Sequence, residues 1–179
     1  WGVFPAFSAG WRISEESFVK DNIDWLSNLK LRLGWGKTGN EELDANDIYP
    51  AVPTYAYGSY MFGNTLYSTA YESRYVNYNL QWATVTNYEV ALEGGFLNNM
   101  LGFELAVYKK KTNDMLLYMP IQGVIGMSAP AQNAGNVENT GFDLNLFHNK
   151  NIGKDWSYNI ALNVSYVKNE ITNMNGTEG

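Results

Sequence analysis

The 179-residue chain has no cysteine and a single histidine, His148. Disulfides and thiolate metal sites are thereby excluded. An imidazole metal centre or a Ser-His-Asp triad would have to rest on His148, whose neighbours Phe147 and Asn149 offer no support. Positive charge is also scarce. Twelve Lys and Arg stand against 18 Asp and Glu, a formal net charge of -6, so the basic footprint of a nucleic-acid binder is missing. No run approaches the roughly 18 consecutive apolar residues of a membrane-spanning helix, and the mean hydropathy is -0.30. What is plentiful is aromatic and small: 13 Tyr, 8 Phe, 6 Trp and 17 Gly, with 17% charged residues. A transmembrane β-barrel passes the helix test unseen, because its apolar residues occupy alternate positions and average out along the chain.

Alternation of that kind recurs six times. In 3–13, Val3, Phe7, Ala9, Trp11 and Ile13 oppose Phe4, Ala6, Ser8, Gly10 and Arg12, and Pro5 marks an edge, a bulge or a strand start because it removes a ladder donor. Ser14 before Glu15 and Glu16 reads as a helix N-cap, which predicts a short helical turn over 15–20. In 29–38, Leu29, Leu31, Leu33 and Trp35 oppose Lys30, Arg32, Gly34 and Gly36. The strands 84–96 and 101–108 flank Asn98-Asn99, a tight-turn signal. The segments 141–148 and 156–166 follow, separated by a polar turn at 149–155. Ten steps from Trp156 to Tyr166 cover about 33 Å at roughly 3.3 Å per residue. Tilted at ~45°, that projects to about 23 Å, close to the ~25 Å apolar band of an outer-membrane barrel.

The connections alternate too. Those at 14–28, 98–100 and 149–155 are short, whereas 40–81 and 118–140 are long and lack a sustained period. Periplasmic turns and extracellular loops differ in this way. The expected fold is therefore all-β: an antiparallel up-and-down transmembrane β-barrel segment of about six strands with two long extracellular loops. Trp11, Trp35, Trp156 and Tyr166 are expected at the membrane interfaces. Both ends read as internal to a longer protein, with Trp1 inside a strand and Gly179 in a polar loop.

Several motifs compete with this reading. Gly34, Gly36 and Gly39 spell G-x-G-x-x-G, but a dinucleotide site needs a helix next, and 40–44 is acidic and aperiodic. The pairs Glu15/Glu16, Glu41/Glu42 and Glu89/Glu93 are expected to be solvated charge. Glu89 and Glu93 would lie about 13 Å apart along one face, too far for paired-carboxylate hydrolysis. Neither a catalytic residue nor a metal or other cofactor is expected. Lys109 and Lys111 share the face of Val107, with lipid head groups and plain solvation as the two readings. The sequons at 163–165 and 175–177 are read as chance. Tyr55, Tyr57, Tyr60, Tyr67 and Tyr71 in the first long loop are candidates for substrate or lid contact, since flat rings bind sugar faces and fill interfaces; self-packing is the alternative.

Five blocks in order carry a family resemblance: 2–18 (GVFPAFSAGWRISEESF), 26–40 (LSNLKLRLGWGKTGN), 96–101 (FLNNML), 108–116 (YKKKTNDML) and 133–141 (NAGNVENTG). With these the chain resembles the SusC/RagA family of TonB-dependent outer-membrane transporters. The resemblance implies a large barrel closed by an N-terminal plug, energised through TonB and covered by a SusD-like surface lipoprotein that delivers glycans, oligosaccharides or peptides. Residues 1–179 would be a single partial barrel domain, the plug domain absent, set in outer-membrane lipid. A soluble β-sandwich module for carbohydrate and a passive porin are the rival readings.

Overall fold

A computed structural model describes residues 2–41 and 49–174. Glu42, the sequon at 175–177 and the readings placed on Trp1 and Gly179 lie outside the described residues. In chain order the strands are β1 (Ala6–Arg12), β2 (Leu26–Asn40), β3 (Tyr55–Phe62), β4 (Thr65–Glu72), β5 (Ala83–Phe96), β6 (Leu101–Asn113), β7 (Leu116–Tyr118), β8 (Ala131–Asn133), β9 (Asn136–Ile152) and β10 (Trp156–Asn173). Six of them form one sheet in the order β1-β2-β5-β6-β9-β10. Successive sheet strands are thus neighbours in space, the up-and-down arrangement expected from the sequence. The sheet is open, with β1 and β10 at its edges. The pairs β3-β4 and β7-β8 stand as separate two-stranded ribbons.

Several boundaries differ from expectation. Ser14 is not an N-cap: a 3-10 turn over Ile13–Glu15 already contains it, and its hydroxyl is buried without a hydrogen-bond partner. The one-turn helix α1 (Ser17–Lys20) follows, with Glu16 at its N-cap and no side-chain cap bond. The first long loop contains β3 and β4, which aperiodic apolarity concealed. A two-stranded ribbon buries neither face, so its sequence is under no pressure to alternate. The second long loop ends early, because β9 begins at Asn136. Likewise β10 continues to Asn173, and only 153–155 separates it from β9, with Gly153 in left-handed backbone. Backbone ladders extend past the apolar band, where side chains are polar and the alternation fades. The Asn98-Asn99 turn is present, and Leu97 joins it at φ 54.

The chain divides into two compact units. One holds Val85–Lys111, Val137–Glu170 and the chain through Thr38; the other holds Gly39–Thr84, Thr112–Asn136 and the C-terminal end. In the first unit β1 and β2 are antiparallel, in a register that sets Phe7 opposite Trp35 and Trp11 opposite Leu31. Contacts between β9 and β10 step evenly: Asn149 with Asn159, Phe142 with Tyr166, Asn139 with Asn169. Their register is unbroken. Glycines and rings interlock on neighbouring strands, for a Cβ at Gly94 would run into the Phe103 ring, one at Gly102 into Phe147 and one at Gly141 into Tyr108. No large side chain is fully buried among the described residues, and the buried apolar set is Val19 and four alanines. The sheet of this unit is a single layer. A sandwich would need a second inner face interdigitated with it.

Candidate functional site

The sheet presents two chemically distinct faces. Strand alternation puts Phe7, Leu33, Trp35, Tyr88, Val90 and Val107 on one face, where they line a shallow groove of about 390 Å³. A second groove of similar size is lined by Phe96, Leu101, Phe103, Leu146, His148, Ile160 and Leu162. These are large apolar side chains left bare: Phe7 is 66% exposed and Ile160 61%. Contiguous apolar surface of this kind marks a membrane or partner interface.

The opposite face is polar. Ser8, Gly10, Lys30, Arg32, Gly34 and Glu89 line a depression there. Arg32 anchors it, with Nη2 donating to Glu104 Oε1 at 2.9 Å and lying 3.9 Å from Glu89 Oε1. Its Nε approaches Glu93 Oε1 at 3.0 Å as an ion pair off the ideal hydrogen-bond angle. Lys30 Nζ is 4.0 Å from Glu93. The reading of Glu89 and Glu93 as merely solvated is therefore corrected: both converge on one guanidinium across the strand pair. Gly34 leaves room above this cluster, since a Cβ there would reach only Glu89 Cβ at 3.7 Å.

Lys109 and Lys111 are not simply solvated either. Glu138 forms an ion pair with each, at 2.6 Å and 2.8 Å. They stay on the apolar side of the sheet, where Lys109 borders the first groove. His148 stacks edge-on with Tyr158 at 5.3 Å between ring centroids, an aromatic contact and not a ligand position. No group of three or more His, Cys, Asp or Glu suited to a metal occurs among the described residues.

The four expected interface residues are all on sheet strands and exposed. Trp11 is at the turn-side end, where its indole Nε1 donates to Glu16 Oε1 at 2.8 Å, and Trp35 is beside Phe7 farther along the sheet. Trp156 opens β10, and Tyr166 stacks on Phe142 at 6.0 Å. In the adjoining turn Lys20 donates to Glu15, which holds that carboxyl below its ordinary pKa. Two aromatics of the same kind escaped the sequence reading. Tyr88 lines the first groove with Trp35, and Trp25 meets Phe96 at 5.6 Å. Tyr88 was legible as the aromatic in the middle of an alternating run; Trp25 lay in what read as a connection.

The tyrosines of the first long loop fall on the β3-β4 ribbon, whose register pairs Tyr60 with Tyr67, Ala56 with Tyr71 and Tyr55 with Glu72. Alternation places Tyr60, Tyr67 and Tyr71 on one face and Tyr55 and Tyr57 on the other. Tyr71 leans over Gly58, 3.2 Å from where a Cβ would be. All five rings are exposed. Tyr55 donates its hydroxyl to Glu72, whose carboxylate raises the phenol above its usual pKa.

A family model described as TonB dependent receptor-like, beta-barrel matches residues 1–179. The chain is 36% identical to TonB-dependent receptor SusC of Bacteroides thetaiotaomicron, over 98% of its own length and 18% of the relative's. It is 34% identical to TonB-dependent receptor P26 of Formosa agariphila, again over 98% of the chain and 17% of the relative. Among solved structures it superposes on the RagAB peptide transporter with a TM-score of 0.83 at 29% identity, covering 97% of this chain and 18% of that one. The chain thus spans less than a fifth of the proteins it matches.

Proposed function

Because the chain belongs to the TonB dependent receptor-like β-barrel family, we propose that residues 1–179 are a single partial barrel domain, without the plug, in the wall of an outer-membrane nutrient importer. One observation carries this reading: a single-layer sheet with bare Leu33, Trp35, Val90 and Val107 on one face and the Arg32 carboxylate cluster on the other. Lipid suits the first face and a wet lumen the second. A soluble sandwich would have to cover the first face, and the family description favours TonB-coupled uptake over a passive porin.

The finer reading follows from the relatives. A SusD-like surface lipoprotein covers the pore, TonB supplies energy through the remainder of the protein, and the cargo is a glycan, oligosaccharide or peptide. Similarity to SusC and to the RagAB peptide transporter supports it. Tyr55, Tyr57, Tyr60, Tyr67 and Tyr71 meet substrate or lid; their exposure on a narrow ribbon favours that role. The role is transport, in a family of receptors and not of enzymes.

Charge placed on one face at a time tests the wall reading in the full-length protein. Ile160→Arg and Leu162→Arg should block outer-membrane assembly, each costing roughly 2–4 kcal/mol near the bilayer midplane. Asn159→Arg and Asn163→Arg should assemble normally. Equal tolerance of all four would overturn the barrel wall.

A further inference from the structure

Of the two apolar-face grooves, the one walled by Trp35, Tyr88, Val90 and Val107 is bordered by a cation, Lys109. Lys111 is two residues farther along the same strand face. Glu138 forms an ion pair with each ammonium, which leaves the triad a net charge of +1 and each lysine with unused donors. Glu138 is the more covered partner, with its side chain 25% exposed against 44% and 39% for the lysines. It therefore holds the two ammoniums side by side and leaves their outer surfaces open. The second groove has His148 in its lining and no lysine or arginine.

We propose that this first groove and the Lys109-Lys111 pair form one binding site for an anionic membrane lipid. An acyl chain lies along Leu33, Val90 and Val107, and the negatively charged phosphate of the headgroup sits on the two ammoniums. The site rests on the reading of this face as lipid-facing. Charge complementarity selects the occupant. A zwitterionic lipid offers the same chain but no net charge to the triad, whereas each lysine near an anionic headgroup adds to binding. Trp35 and Tyr88, ring-bearing neighbours of Lys109, are the aromatic types that favour the headgroup level. Lys110, between the two, points to the other face of the strand and takes no part.

Native mass spectrometry of the full-length protein, titrated in detergent with phosphatidylglycerol or phosphatidylcholine, tests the site. Phosphatidylglycerol should bind in preference, and Lys109→Gln with Lys111→Gln should weaken it about tenfold. Lys110→Gln, the same loss of charge on the other face, should leave binding unchanged. Glu138→Gln should bind at least as well as the parent. Equal retention of the two lipids, or an equal loss in the Lys110 variant, overturns the proposal, as does a Glu138→Gln loss matching that of the double variant. Failure of the wall reading is a separate result, seen when Leu162→Arg assembles as readily as Asn163→Arg.

Discussion

Arg32 faces Glu104 at 2.9 Å, Glu93 at 3.0 Å and Glu89 at 3.9 Å. Its removal leaves three carboxylates facing one another across neighbouring strands. The Arg32 side chain is 39% exposed, so water screens part of that repulsion. Arg32→Ala should destabilise the full-length barrel by about 1 kcal/mol, and a double-mutant cycle with Glu104→Gln should return a coupling of roughly 0.2–1 kcal/mol in urea titrations. Gly102 is a sharper case, because a Cβ there meets the Phe147 ring. Gly102→Ala should cost about 1–3 kcal/mol by overpacking. Adding Phe147→Ala should recover part of that cost; two additive losses would contradict the contact.

At the scale of elements, the β3-β4 ribbon is closed by Gly63 and Asn64. Gly63 has φ 63, while Asn64 is not among the left-handed residues, the pattern of a two-residue type II′ turn. Gly63→Val should cost about 1–3 kcal/mol of local stability, read as faster amide exchange in β3 and β4 with β5 and β6 unchanged. The Tyr55-Glu72 bond closes the other end of the ribbon. With the phenol pKa raised in the folded state, the bond contributes stability below the ordinary value of 10.0 and loses it as pH climbs through the raised value. A difference titration at the phenolate band, parent minus Tyr55→Phe, should show a midpoint above 10.0. The sheet strands were legible because a sheet with one apolar and one polar face imposes period two, as Leu29, Leu31, Leu33 and Trp35 record. The ribbon was not, since nothing selects one face of β3 over the other. Ion pairs were equally hidden: Arg32 and Glu104 are 72 positions apart, and only strand order brings them together.

For the whole molecule, the open sheet exposes unpaired backbone along β1 and β10. A bilayer does not tolerate such edges. Residues 1–179 expressed alone should therefore aggregate or oligomerise in detergent, as size-exclusion chromatography would detect, whereas the full-length protein should run as a discrete species. A monodisperse fragment would contradict this. The interlocked glycines bear on how the wall is put together. Rings of Phe103, Phe147 and Tyr108 fit where Gly94, Gly102 and Gly141 leave space, the first on the apolar face and the other two on the polar face. A one-residue slip would exchange the apolar and polar faces. Sliding by two would drive Phe103 toward Leu92 or Phe96 in place of Gly94. The glycine and ring pairs thus act as notches that admit one alignment of neighbouring strands and reject shifted ones by steric collision.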